Sequence, residues 1–153
     1  MQYWLFKTEP GAFSIDDLAN MPNQIEHWDG IRNYQARNFL RDDLKLGDLV
    51  FIYHSSCKRI GIVGLAEVAK EGYIDHTQFD PESEYYDPKS LKNKPRWIMV
   101  DIQLKQKFVQ ILTLENIRNM PEIIDIGLVK KGHRLSIMPV IQNEFEWLLG
   151  KCQ

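Results

Sequence analysis

A mostly β, α+β domain, a small barrel decorated with short helices, is the fold class this sequence predicts. Three observations carry it. Apolar, β-branched and aromatic runs recur at 49–53, 61–68 and 98–104. Between them lie short segments with helix-capping residues rather than long amphipathic helices. Seven Pro and nine Gly are spread over the 153 residues, which interrupts any helical bundle. The length fits one domain, 1–153, with 44% hydrophobic and 26% charged residues.

Taken in order, Tyr3 to Phe6 forms a short aromatic strand that ends at Glu9-Pro10-Gly11. Ser14, followed three residues on by Asp17, is an N-cap signal for a helix reaching about Asn20, closed by Met21-Pro22-Asn23. Trp28-Asp29-Gly30 reads as a polar loop. After it, Tyr34, Ala36, Phe39 and Leu40 fit one face of a helix over 33–40. Leu49 to Tyr53 is a strand buried on both sides. Gly61 to Val68 is a second core strand, and its two glycines predict a bend or a close backbone approach.

The third strand alternates: Ile98, Val100, Ile102 and Leu104 face one way, and Trp97, Met99, Asp101 and Gln103 the other. A loop over about 75–95, with three prolines and Tyr85-Tyr86, is long enough to suggest a functional role. Thr113 caps a short helix from Leu114 to about Asn119. A last strand, Ser136 to Val140, precedes a helix from about Asn143 to Leu149, on which Trp147 is most simply core.

A net charge of -2 excludes a broad basic clamp for nucleic acid, but the charge is segregated. Residues 67–89 hold seven acids and two lysines, whereas 89–134 hold ten bases and four acids. Lys89, Lys92, Lys94, Arg96, Lys130, Lys131 and Arg134 can follow a phosphate backbone, or form an ordinary solvated face. Cys57 and Cys152 read as reduced thiols in an intracellular, cytoplasmic protein, or a nuclear one in a eukaryote. The apolar N-terminal run is too short for a signal peptide or a membrane span, so no membrane partner is expected.

No phosphate loop, Cys-x-x-Cys pair or His-Glu-x-x-His helix occurs, so no cofactor is expected. His54-x-x-Cys57 has metal-like spacing but lacks further ligands, and no metal is expected. Trp28 and Trp97 are candidates for stacking on a flat ligand or for a second hydrophobic layer. Base–aromatic stacking contributes about 1–3 kcal/mol. Asn33 can read a base edge through its carboxamide or simply cap the following helix.

Eight ordered blocks carry a resemblance that spans nearly the whole chain. They are Tyr3-Trp4-Leu5-x-Lys7-x-Glu9-Pro10; Ser14-Ile15-x-Asp17-Leu18; Trp28 through Asn38; Phe51 through Ser55; Gly61 through Gly64; Tyr85 through Ser90; Pro95-Arg96-Trp97-x-Met99-Val100-Asp101; and Arg134-Leu135-Ser136-Ile137-x-Pro139-Val140. The sequence resembles the EVE domain family of the PUA-like superfamily, related to YTH and ASCH domains. It departs at Thr8, where the family usually has Ser, and at Met138, where Gln is frequent.

The resemblance implies a PUA-like β-barrel and, as function, a non-enzymatic reader of a modified base, modified cytosine in DNA or a modified base in RNA. It implies a base pocket of Trp28, Asn33, Tyr53, His54, Ser55, Trp97 and Ser136, with Arg32, Arg37, Arg96 and Arg134 toward phosphates. A monomer with nucleic acid as its partner is expected. Two alternatives stay open: a hydrolase acting on a modified nucleoside, using Lys7, Glu9 or Asp87 in the manner of ASCH amidohydrolases, and a module that binds a small molecule or peptide.

Overall fold

In the computed structural model, which describes residues 1–152, six strands form one sheet in the order β2-β5-β4-β3-β1-β6. The strands are β1 (Tyr3–Thr8), β2 (Ile25–Trp28), β3 (Leu49–His54), β4 (Gly61–Ile74), β5 (Ile98–Thr113) and β6 (Ile137–Val140). Neighbours are antiparallel except β1 and β3, which run parallel with Lys7 beside Tyr53.

Period-two alternation sends apolar residues to both faces of the central strands, so each face is buried under its own core. Trp4, Phe6, Val50, Ile52, Ala66, Val68, Val100 and Ile102 fill one core. It is closed by Ile15 and Leu18 of α1 (Ile15–Ala19) and by Ala36 of α2 (Tyr34–Asn38). Leu5, Phe51, Tyr53, Ile62, Phe108 and Leu112 fill the other, under α3 (Leu114–Arg118) and α4 (Gln142–Cys152). The burial of Leu49 to Tyr53 on both sides is as the run predicts.

The sheet curls. Phe6 of β1 and Trp28 of β2, far apart in strand order, bring their rings to 5.5 Å across the first core. Four register shifts between β4 and β5 bend the longest strands. Gly64 sits at one of them: a Cβ there would run into Ile15 of α1 and stand 2.8 Å from the Gln106 carbonyl. That is the close approach its glycine predicts. Among the described residues no ladder joins β2 to β6, so the curled sheet stays open at that seam.

The helix caps follow the sequence. Ser14 and Asp17 form a reciprocal capping box, and Thr113 accepts from the Asn116 N–H. Two expectations are corrected. Trp28 is not in a loop but ends β2, paired with Val100; the run Ile25-Glu26-His27-Trp28 is too short and polar to announce a strand. Trp147 is not core: it is 39% exposed, with Lys151 Nζ 4.8 Å from its ring. The 75–95 loop is well anchored. Buried Gln78 donates to the Trp97 and Asp75 carbonyls and accepts from Ser90, knitting the loop to the start of β5. Among the described residues no helix is long and apolar enough to cross a membrane.

Candidate functional site

A cleft of about 430 Å³ opens at the end of β1 and β2, within the size range of small-ligand sites. Lys7, Thr8 and Glu9 contribute from β1 and the turn after it, and Ala12 and Phe13 from the approach to α1. Residues 26–31 form one side, Glu84 and Tyr85 come from the long loop, and Ser136 precedes β6. Trp28 meets Phe13 edge-on at 6.0 Å and an interplanar angle of 86°, so the aromatic wall is continuous with the core.

The opposite wall depends on Gly30. At φ +78° this residue is in the left-handed region, and a Cβ on it would stand 2.6 Å from Tyr85 Cζ. Its N–H donates to Asp75 Oδ2 at 2.9 Å. Arg32 completes the arrangement, donating to the carbonyls of Ile31 and Tyr85, to Asp75 Oδ2 at 3.0 Å and to Thr77 Oγ1. Five contacts engage all five guanidinium N–H groups. Asp75 is fully buried. Burial alone would raise its pKa, but Thr77, the Gly30 N–H and Arg32 outweigh that and hold the carboxyl below its ordinary value.

Acids dominate the cleft: Glu9, Glu26, Asp29 and Glu84 face Lys7 and His27. His27 lies 2.9 Å from Glu26 Oε1 and 3.5 Å from Asp29 Oδ2. Burial, reinforced by Asp75, raises the Asp29 pKa, with His27 and His76 pulling the other way. Burial lowers that of Lys7. The cleft combines aromatic walls with an edge of hydrogen-bond acceptors, an arrangement that favours a neutral ring bearing an amine over a phosphate.

Of the seven pocket residues read from the resemblance, Trp28 and Ser136 line this cleft. The other five lie outside its lining. Trp97 is buried under the loop and α2, donating through Nε1 to Asp87 Oδ2 at 2.7 Å and stacking on Tyr34 at 4.8 Å. Asn33 caps α2, its Oδ1 accepting from the Ala36 N–H. Tyr53 belongs to the second core, where burial raises its hydroxyl pKa to about 12. His54 Nε2 accepts from the Ile15 N–H at 3.1 Å, and burial holds its pKa low. Ser55 donates its N–H to the Thr8 carbonyl.

The arginines divide. Arg32 is internal. Arg37 donates to the Arg96 carbonyl and lies 4.9 Å from the Tyr34 ring. Arg96 is half exposed, 3.8 Å from Asp87, and Arg134 is exposed two residues before Ser136. Phe13, His27, Asp29, Glu84 and Tyr85 line the cleft without having been singled out for a pocket. The length of the 75–95 loop was the signal for two of them.

A family model described as the EVE domain matches residues 2–151. Thymocyte nuclear protein 1 of Gallus gallus is 44% identical over 164 residues, covering 97% of this chain and 67% of that protein. Among solved structures, a protein from Pseudomonas syringae matches with a TM-score of 0.93 and 42% identity over 99% of both chains. Human THYN1 protein, crystallised with 5-methylcytosine-containing DNA, matches with a TM-score of 0.88 and 39% identity, over 100% of this chain and 98% of that one. With 150 of its residues covered by the model and its fold shared throughout, the chain belongs to the EVE domain family.

Proposed function

We propose that this protein reads a modified cytosine, of the 5-methylcytosine type, in DNA, and that the base enters the cleft beside Trp28. The observation that carries the reading is a slot of about 430 Å³ walled by Trp28, Phe13 and Tyr85 and edged by carboxylates, in a chain that shares its fold with a protein crystallised on 5-methylcytosine DNA.

In this reading the base leaves its stack and enters alone. Aromatic contact in the slot contributes about 1–3 kcal/mol. The N4 amine of cytosine is a donor, and carboxylates such as Asp29 and Glu9 are the matching acceptors. Thymine presents a carbonyl at the same position, which an ionised carboxylate repels. The 5-methyl group gains from the apolar wall by about 1–3 kcal/mol. The sugar–phosphate backbone stays outside, where the cleft's acids do not meet it and the exposed Lys130, Lys131 and Arg134 do.

Lys7 and Glu9 both line the cleft, which keeps a hydrolase acting on an acylated nucleoside as the second reading. Mass spectrometry of acylated cytidine after incubation separates the two, and the reader predicts no turnover. For the reader itself, NMR provides the test. Adding a 5-methylcytosine oligonucleotide is expected to shift the Trp28 indole N–H and the Ser136 amide and to leave the exposed Trp147 indole in place. Shifts confined to exposed lysines and arginines would overturn it.

A further inference from the structure

Outside the cleft an aromatic ring stands among cations. Tyr34 of α2 is 51% exposed, yet it is firmly held. Its ring stacks on the buried Trp97 at 4.8 Å and an interplanar angle of 27°, and the Arg37 guanidinium, three residues on along the helix, lies 4.9 Å from its centroid. Trp97 is fixed in turn by its Nε1, which donates to Asp87. A ring pinned in this way loses little rotamer freedom when a ligand stacks on it. Arg37 is itself held by the Asn38 side chain and the Arg96 carbonyl, and the other three of its five N–H groups have no partner among the described residues.

The segment beside this ring is basic. From Pro88 to Trp97 there are four bases, Lys89, Lys92, Lys94 and Arg96, and no acid. All three lysines are exposed. The turn that carries them is tied down: the Lys89 N–H donates to Asp87 Oδ1, the Lys94 N–H to the Leu91 carbonyl and the Arg96 N–H to the buried Ser90 Oγ. It meets α2 where Arg37 Nη1 donates to the Arg96 carbonyl at 2.6 Å, so the ring and the lysine-bearing turn occupy adjoining parts of the surface. Stacking platforms beside a row of cations are how proteins follow a nucleic-acid strand.

The same surface leads to the cleft. Arg32 Cζ lies 5.4 Å from the Trp97 ring and 5.7 Å from the Tyr85 ring, which makes Tyr34, Trp97, Arg32 and Tyr85 one series of contacts ending at the cleft wall. Its length corresponds to a few nucleotides along one strand. We propose that Tyr34 and the turn 88–96 form a second nucleic-acid contact outside the cleft, in which the Tyr34 ring takes an unstacked nucleobase of the bound strand and Lys89, Lys92 and Lys94 take the phosphates around it. This rests on the reading of the protein as a nucleic-acid binder, and it holds whichever base enters the cleft.

The test uses short single-stranded DNA carrying one 5-methylcytosine, with the fluorescent base 2-aminopurine placed in turn at each neighbouring position. Its emission falls on stacking. Wild type is expected to quench it at particular positions a few nucleotides from the 5-methylcytosine, Tyr34→Phe to do the same, and Tyr34→Ala to leave it bright there. Tyr34→Ala is expected to weaken binding about tenfold, equally for 5-methylcytosine and cytosine. The double variant Lys92→Gln/Lys94→Gln is expected to reduce the slope of log K against log salt by about 1.4.

An unchanged affinity and unchanged quenching in a Tyr34→Ala protein that melts like wild type would overturn the contact. A shallower salt slope in the lysine variant with no effect of Tyr34→Ala would mark the patch as a site for any polyanion, an acidic peptide included, and would overturn it too. Should Tyr34→Ala not fold, Tyr34→Leu, which keeps an apolar cover over Trp97, takes its place with the same outcomes. Quenching that depends on Tyr34, with no preference of wild type for the methylated base, would support this contact and remove the base reading of the cleft.

Discussion

The Tyr85 ring occupies the space where a side chain on Gly30 would begin, with its Cζ 2.6 Å from the Cβ position. This contact sets one wall of the cleft, because it requires both the left-handed backbone at Gly30 and the absence of a Cβ. Gly30→Ala is expected to destabilise the fold by about 1–3 kcal/mol through the positive φ and to displace Tyr85. Urea unfolding reads the first effect. A weaker affinity for methylated DNA in the still-folded variant reads the second.

Arg32 joins the same wall to the buried Asp75 and engages every guanidinium N–H within the protein. Arg32→Ala leaves that carboxylate uncompensated and is expected to cost about 3 kcal/mol or more in unfolding free energy. Arg32→Lys keeps the charge but not the five-way geometry and is expected to fall between. The lysine variant is predicted to keep the salt dependence of DNA binding unchanged, since the Arg32 side chain makes its contacts inward.

Asp29 gives a pH signature. Burial raises its folded-state pKa above the ordinary 3.8. A raised carboxyl binds its proton more tightly in the folded state, so its stabilising contribution is present below the unfolded pKa and is lost as pH rises through the folded one. At pH 7 the ionised group therefore opposes folding. Asp29→Asn is expected to be more stable than wild type at pH 7, with the gap closing towards pH 3.5. The same variant is expected to bind 5-methylcytosine DNA less well at pH 7, because an acceptor for the amine is removed. Thermal melts at several pH values and a titration check the two halves.

The strands, caps and double-sided core were legible because they rest on local signals: alternation over 98–104, Ser14 with Asp17, and the continuous run at 49–53. β2 was not, since its pairing with β5 is a tertiary event that four half-polar residues do not announce. The candidate site was legible as a segment and less so as side chains. Only residues 28–31 of the stretch 28–38 line the cleft, together with Ser136. Sequence alone, however, cannot tell an amide offered to a ligand from one capping a helix, as at Asn33, nor a surface guanidinium from one locked inside, as at Arg32. Trp97 directly precedes β5. What covers it, Tyr34 and the Asp87 loop, comes from elsewhere in the chain.

A cleft that distinguishes a modified cytosine by contact reveals itself in equilibrium titration. Matched oligonucleotides carrying 5-methylcytosine, cytosine or thymine at one position are titrated at one salt concentration against wild type and Tyr85→Ala. Wild type is expected to prefer 5-methylcytosine over cytosine by about tenfold and to reject thymine although it carries the same methyl group, and Tyr85→Ala is expected to narrow these differences while still binding DNA. Equal affinities for all three bases in wild type, unchanged in Tyr85→Ala, would contradict it.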